Sequence, residues 1–502
     1  MKLSPIALEP HQVLYEQVAE RLQTLITEGT LQPGDRLPSV RKLRQQLSVS
    51  TSTVLEAYRL LEDRGLITAR PQSGYYVKQT ALDLLPEPSP TVPPSQAHEI
   101  DITLAFQLMI TLQDSSMVQL GAALPAMEHL PLSQLNRLMG KALRDNPAMM
   151  HVYGNPLGCE ELRAELAKRM INASCSVPPD QFVVTNGAVE AIYLSLQAVT
   201  QPGDTVAVES PTYFTMLEAL KNLHLKALTL PTHPREGISL SHLEAALKRE
   251  DIKAVLLVSN FSNPVGCCMQ DDRKKQLVDL LNQYEVPLIE DDVYGELHFG
   301  SVRPKAIKAF DTENRVLYCS SLSKTLSPGL RLGWCAGGRY HAAVTKMKAV
   351  VNLGTAIAPQ MTAAAFLKNG GFDRHLRQLR RNYQQQMGQM QQAIADYFPP
   401  ETRVTRPTGG HVLWVEMPKG FSAIALYEAA IAHQISIAPG IIFSASGRCY
   451  QNCFRLNTAI PWSATLNMAM QTLGYLAKKQ LAEQLLSSDQ PTSFDLSQSN
   501  RD

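Results

Sequence analysis

Ser321-Leu322-Ser323-Lys324-Thr325-Leu326-Ser327-Pro328-Gly329-Leu330-Arg331 is the stretch on which the reading of this chain turns. It follows the apolar run VLYCS (316–320) and precedes LGWCA (332–336), so a lysine stands in a short loop between two strand-like segments. A lysine after a strand is ordinarily a solvated surface residue. An enclosed one differs, because its amine sheds its proton readily and becomes a nucleophile toward carbonyl groups. Outward from this loop, FVVT (182–185), VAVE (206–209), AVLLV (254–258) and PLIED (287–291) are further strand-like runs separated by amphipathic helical stretches. That alternation predicts a large α/β domain with a mostly parallel central sheet.

The groups an active lysine would work with are spread along those runs. Asp291 ends PLIED, Asn263 precedes Pro264, Tyr294 follows Asp291 by three residues, and Asn186-Gly187-Ala188-Val189-Glu190 opens a helix directly after FVVT. Pyridoxal phosphate needs an amine for its aldehyde, a carboxylate for its ring nitrogen, donors for its phenolic oxygen and a cradle for its phosphate. Lys324 meets the first need as a Schiff-base lysine and Asp291 the second, while Asn263 and Tyr294 meet the third. Backbone amides of Gly187, Ala188 and Val189 at a helix N-terminus, with Ser321, Ser323 and Arg331, meet the fourth. Each group also has an ordinary alternative. Acid runs such as Glu290-Asp291-Asp292 solvate strand ends, Asn before Pro initiates turns, and Arg455 alone reads as a structural ion-pair partner.

Residues 1–78 form a separate unit. Val13, Leu14, Val18, Leu22, Leu25 and Ile26 recur at helical spacing, with Gly29 as a stop. Ser39 caps a second helix carrying Val40, Leu43 and Leu47, and Ser50 caps a third carrying Val54, Ala57, Tyr58 and Leu61, ended by Gly65. LITAR and YYVK then make a two-stranded wing. Thr51, Ser52 and Thr53 lie off the apolar stripe of the third helix, and Arg41 and Arg44 flank it from the second, as base and phosphate contacts require. Residues 79–113, with Pro86, Pro88, Pro90, Pro93 and Pro94, read as a linker. Residues 114–486 form the large domain, including a small subdomain from about 375, and the polar segment 487–502 reads as disordered.

The 502 residues carry 44% hydrophobic and 19% charged side chains, a net charge of +1 and no apolar run near the roughly 20 residues that span a bilayer. A cytoplasmic protein without a membrane partner is expected, and any nucleic-acid contact must come from a local cluster. The eight cysteines lack the paired spacing of a zinc site or a disulfide framework, so no metal is expected and Cys267, Cys268, Cys449 and Cys453 read as buried free thiols.

Over PGDRLPSVRKLRQQLSVSTSTVLEAYRLLEDRGLITARPQSGYYV the head resembles the GntR-type winged helix-turn-helix. The resemblance implies contacts to double-stranded operator DNA from Arg41 and Thr53, a further contact from Arg70 and a wing turn at Gly74. Thr51 stands where many members carry a basic residue. Residues 150–480, through NGAVEA, SPTYF, NPVG, EDDVYGEL and SLSKTLSPGLRLGW, resemble the fold-type I pyridoxal-phosphate aminotransferases. That similarity implies that Tyr213 stacks on the cofactor ring and that Arg455 clamps an α-carboxylate, with Asn263 beside it. It implies too that Tyr153 reaches the phosphate bound in the partner subunit.

A small α+β winged helix-turn-helix followed by a large fold-type I transferase-like domain resembles, as a whole, the MocR subgroup of GntR-type regulators. Such a protein is expected to be a head-to-tail homodimer whose DNA affinity responds to an amino acid, an amine or pyridoxal phosphate itself. A working aminotransferase with an accessory DNA-binding head stays open at this stage, because Lys324, Asp291, Tyr294, Asn263 and Arg455 would suffice for transamination.

Overall fold

The computed structural model describes residues 13–27, 30–70, 73–78, 85–93, 96–97, 99–100, 116–249 and 251–488. The first described elements are three helices: α1 (Leu14–Thr27), α2 (Val40–Leu47) and α3 (Thr51–Asp63). They bury Val18, Leu22, Leu43, Leu47, Val54, Ala57, Tyr58 and Leu61 in one small core. Val13 and Leu14 stand outside it, 50% and 41% exposed, so the apolar stripe of α1 begins a turn later than the sequence spacing indicates. Gly29, read as the stop of α1, lies outside the described residues.

Capping decides where α2 and α3 begin. The Ser39 hydroxyl accepts from Lys42 N at 3.3 Å, and the Ser50 hydroxyl accepts from Thr53 N at 3.0 Å, each satisfying an N–H that has no partner within its helix. Gly65, at φ +70°, turns the chain out of α3 into β1 (Ile67–Arg70), which pairs with β2 (Gly74–Val77) in register Arg70↔Gly74. Gly74 has φ +107°, a conformation side-chain-bearing residues rarely adopt, and it closes the wing.

The first described strand of the body is β3 (Val118–Gln119). Its main sheet contains β4 (Phe182–Thr185), β5 (Thr205–Ser210), β6 (Lys226–His233), β7 (Gly237–Ile238), β8 (Ile252–Val258), β9 (Leu288–Asp291), β10 (Val316–Ser321) and β11 (Gly333–Ala336). Their spatial order is β4-β11-β10-β9-β8-β5-β6-β7, with β10, β9, β8, β5 and β6 parallel and β11 antiparallel to both neighbours. β4, β9, β10 and β11 are buried at every residue, which explains the absence of in-out alternation along them. A second, antiparallel sheet joins β12 (Arg403–Val404), β13 (Val412–Glu416), β15 (Ala438–Pro439) and β16 (Cys453–Asn457), while β14 (Ile435–Ser436) pairs with β3. The last helix, Ala464–Ser488, runs two residues into the segment read as a polar tail; the rest of that segment lies outside the described residues. Cys267 and Cys453 are buried, whereas Cys268 and Cys449 are half-buried at loop positions; all four are free thiols. No described helix is long and apolar enough to cross a membrane.

Between head and body the chain is docked at several described positions. Leu85 is buried in the core of the second sheet, and Pro86 O accepts from Val404 N at 3.0 Å. Glu87 pairs with Arg235 of the β6–β7 turn at 2.6 Å and lies 4.0 Å from Arg406 Nε beside β12. Thr91 N donates to Thr232 O of β6 at 3.1 Å, and the Thr91 hydroxyl donates to Ser210 O at the end of β5 at 2.6 Å. The proline-containing strap therefore bridges both sheets. Residues 79–84, 94–95, 98 and 101–113 of the expected linker lie outside the described residues.

Removing the α3 cap by Ser50→Ala is expected to weaken α3 by about 1 kcal/mol, read as faster native-state hydrogen exchange of its amides in the full-length chain. Unchanged exchange would show that Ser50 does not hold the helix start.

Candidate functional site

The carboxyl ends of the parallel strands converge on one cavity of about 260 Å³, where α/β sheets generally offer a ligand site. Its walls include Ala188 and Val189, Tyr213, Asn263, Asp291, Tyr294, Ser321, Ser323, Lys324 and Arg331. Ten positions singled out from sequence thus meet in one place. Tyr153 does not join them: it is 86% exposed, on a segment with exposed Val152.

Three consecutive acids end β9, and their partners separate their roles. Glu290 accepts from Ser259 Oγ at 2.6 Å and from the backbone N–H groups of Ile307 and Lys308 at 2.7 and 2.9 Å. Asp292 is held by Arg303 at 2.5 Å, Asn260 Nδ2 at 2.9 Å and the Tyr318 hydroxyl at 2.9 Å. Asp291 has one bond, from Val293 N at 3.2 Å, and no cation paired with it among the described residues. Burial, with the charge of Asp292 adding to it, pushes the Asp291 carboxyl up to about 7. A buried carboxylate in that state fits a protonated ring nitrogen, which would supply the missing counter-charge.

Lys324 stands opposite. Burial, reinforced by Arg455 and opposed by Asp291, pulls its ammonium down to about 8, and Nζ donates to Ala123 O at 2.6 Å. Tyr294 is buried, and its hydroxyl accepts from Asn263 Nδ2 at 3.4 Å, so the two donors expected for a phenolic oxygen are neighbours. Tyr213 precedes the helix Phe214–Asn222 and lies in the cavity wall.

The phosphate cradle is built on Gly187, which has φ +89° and begins the helix Ala188–Val199. A side chain at Gly187 would collide with the Arg331 guanidinium, and one at Gly333 would come within 2.7 Å of Ala188 N, so both glycines permit the close approach of turn, strand and arginine. Arg331 Nη2 donates to Asn186 O at 2.8 Å. The first amides of the helix have no intrahelical acceptor, and they lie at its positive end beside that guanidinium, a cradle that fits a phosphate dianion.

Arg455, on β16, is 1% exposed. Nη1 donates to Asn263 Oδ1 at 2.9 Å and Nη2 to Gly121 O, the guanidinium lies 5.1 Å over the Phe443 ring, and Nε has no partner. No carboxylate pairs with it among the described residues. The structural ion-pair alternative therefore has no partner here, and the arginine retains its capacity for an incoming carboxylate. Sequence reasoning missed the strap Gly121–Leu124, whose carbonyls meet Arg455 and Lys324, because main-chain acceptors leave no signature in residue identity. It also missed His411, packed edge-on against Tyr294 and Tyr383 at 5.5 and 5.4 Å and pulled down to about 3 by burial, so that it stiffens Tyr294 without adding positive charge.

On the head, Arg41, Arg44, Thr51 and Ser52 are exposed on α2 and α3, while Thr53 is half-buried and its hydroxyl lies 2.8 Å from Ser50 Oγ. Arg70 is exposed on β1 and stacks over Tyr76 at 4.3 Å, next to Gly74 across the register.

The family described as aminotransferase class I and II matches residues 119–473, and the bacterial regulatory proteins of the gntR family match residues 14–77. The uncharacterized HTH-type transcriptional regulators YdcR and YjiR of Escherichia coli (strain K12) are 42% and 38% identical. They match over 93% and 92% of this chain and 99% and 98% of their own lengths. The crystal structure of LysN, the α-aminoadipate aminotransferase of Thermus thermophilus complexed with N-(5'-phosphopyridoxyl)-L-leucine, is 29% identical. It has a TM-score of 0.71, covering 77% of this chain and 97% of that one. The chain belongs to the class I and II aminotransferase family, with a gntR-type helix-turn-helix domain ahead of it, the composition of MocR-like regulators. That aminotransferase fold family depends on pyridoxal 5'-phosphate, which the cavity fits group by group.

A lysine lowered to about 8 is mostly ammonium at pH 7 and mostly amine at pH 9. The rate at which the apoprotein captures pyridoxal phosphate should therefore rise about tenfold over that interval, measured by stopped-flow absorbance. A flat profile would mean that proton loss from Lys324 does not limit capture.

Proposed function

We propose that this chain is a pyridoxal-phosphate-dependent, DNA-binding transcription regulator of the cytoplasm. Its aminotransferase-like body senses an amino acid, a small amine or pyridoxal phosphate itself. The observation that supports this reading is a cavity gathering Lys324, Asp291, Asn263, Tyr294, Ser321, Ser323 and Arg331, with Arg455 bonded to its wall residue Asn263, in one chain with a helix-turn-helix head whose Arg41, Arg44, Thr51 and Ser52 stand exposed. When bound, pyridoxal phosphate supplies an aldehyde for primary amines and a ring that accepts electrons. Lys324 supplies the competing amine, Asp291 holds the ring-nitrogen proton, and Tyr294 and Asn263 orient the phenolic oxygen. The amides of residues 187–189 hold the phosphate with Ser321, Ser323 and Arg331. Arg455 and Asn263 select ligands that carry a carboxylate.

Tyr153, exposed and outside the lining of its own cavity, is assigned to the phosphate of a partner subunit, so the working unit is a head-to-tail homodimer with shared sites. A ligand can change operator affinity only as far as it binds two arrangements of that dimer differently. The strap 85–91 offers a path for that difference. Thr91 is bonded to Ser210, three residues before Tyr213, while Leu85 and Glu87 are anchored beside β12.

Fluorescence anisotropy on the upstream DNA, at fixed salt and with and without pyridoxal phosphate and a panel of amino acids, tests the whole reading. Ligand-dependent specific binding is expected, and its absence together with sustained turnover of an amino acid and a 2-oxoacid would make the protein an aminotransferase instead. Lys324→Ala should abolish the response to amines; a full response in that variant would remove the lysine from the account. Arg41→Ala should weaken operator binding by about 1–3 kcal/mol if it contacts a base, and unchanged affinity would contradict the docking. Glu87→Gln should leave cofactor binding unaltered but change the ligand-induced shift in DNA affinity by about threefold or more. Equal shifts in parent and variant would rule out the strap as the path.

A further inference from the structure

The first turn of the helix Ala188–Val199 carries a carboxylate, Glu190, at the end where the chain offers amides to a phosphate. A negative charge there stabilises a helix but repels a dianionic ligand bound to the same turn. Glu190 nevertheless accepts from Asn186 N, and Arg331 occupies Asn186 O, so both backbone groups of the residue before Gly187 are fixed. Behind Glu190 lies Lys348, on the helix His341–Asn352. It is 0% exposed, its Nζ is 3.1 Å from both Glu190 oxygens, and it donates to Thr355 Oγ1 at 2.9 Å. Thr355 in turn donates to Val184 O of β4 at 3.1 Å, and Asn352 Nδ2 donates to Glu190. Burying an ammonium costs several kcal/mol unless its partners compensate, so this cation is tied to Glu190 and to the strand that leads into the turn.

We infer that Lys348 is a positioning residue for the cofactor phosphate: it neutralises Glu190 and holds it on Asn186 N–H, leaving the amides of Gly187, Ala188 and Val189 to the phosphate. The inference rests on the cavity being a pyridoxal-phosphate site. Lys348 does not line the cavity, and no sequence motif singles it out. A purely structural ion pair joining two helices would serve every ligand of the cavity alike, whereas a charge-balancing role concerns only ligands that carry a phosphate.

Titration of the full-length apoprotein with pyridoxal phosphate and with phosphate-free pyridoxal separates the two. Lys348→Met should lower affinity for pyridoxal phosphate about tenfold or more and change that for pyridoxal by no more than about twofold. Adding Glu190→Gln should bring pyridoxal phosphate affinity back to within about threefold of the parent. Equal losses for both ligands, no loss for pyridoxal phosphate, or no recovery in the double variant would overturn the inference. If Lys348→Met alone does not fold, Glu190→Gln still decides: retained or higher pyridoxal phosphate affinity is expected, and a selective loss would overturn the charge argument. A parent protein that binds neither ligand overturns the functional reading itself, and this inference with it.

Discussion

Charge without a counter-charge inside one cavity is the constraint around which the body is organised. Asp291, Lys324 and Arg455 are all buried, with Asp291 and Arg455 close enough to act on the charge of Lys324, yet none is joined to another as an ion pair among the described residues. Burial of such groups is unfavourable unless something completes them. Around them, the other buried carboxylates are paired or hydrogen-bonded. Glu290 ties a backbone turn, Asp292 is matched by Arg303, and Glu190 is matched by Lys348. What is left open has the pattern of a ring nitrogen, an aldehyde, a phosphate and a carboxylate.

That pattern also explains why so much of the site could be read from sequence. The strands that deliver Asp291, Ser321 and Gly187 are buried on both faces, so they begin as apolar segments without in-out alternation, and these three residues sit at or just beyond the carboxyl ends. The head was legible for a different reason, since Ser39 and Ser50 cap where they should and Gly65 and Gly74 take the positive φ that only a turn needs. The misplacements have physical causes. Val13 and Leu14 have the apolar character of the stripe but lie at the start of α1, outside the small core that the rest of the stripe packs into. Cys268 and Cys449 lie outside the named helices and strands and are half-buried, whereas Cys267 beside Cys268 is enclosed.

Interactions through the main chain or across long sequence separations were not legible. Neither the hold of Lys324 on Ala123 O nor that of Arg455 on Gly121 O requires a particular side chain at the acceptor. Lys348 and Glu190 are 158 residues apart, and nothing local marks either as a partner. The proline-containing segment looked like a tether because it has no periodicity. Its attachment uses buried Leu85, the ion pairs of Glu87 with Arg235 and Arg406, and hydrogen bonds of Pro86 and Thr91, none of which follows a sequence period.

The central claim is that occupancy of the cavity and occupancy of DNA are thermodynamically linked. Linkage is reciprocal, so a ligand that changes operator affinity by some factor must have its own affinity changed by operator DNA by the same factor. The direct measurement is calorimetric titration of the cofactor-loaded protein with its most effective amino acid, alone and saturated with operator DNA. The account predicts two different affinities whose ratio equals the ligand-induced change in DNA binding. Identical affinities with and without DNA would contradict it.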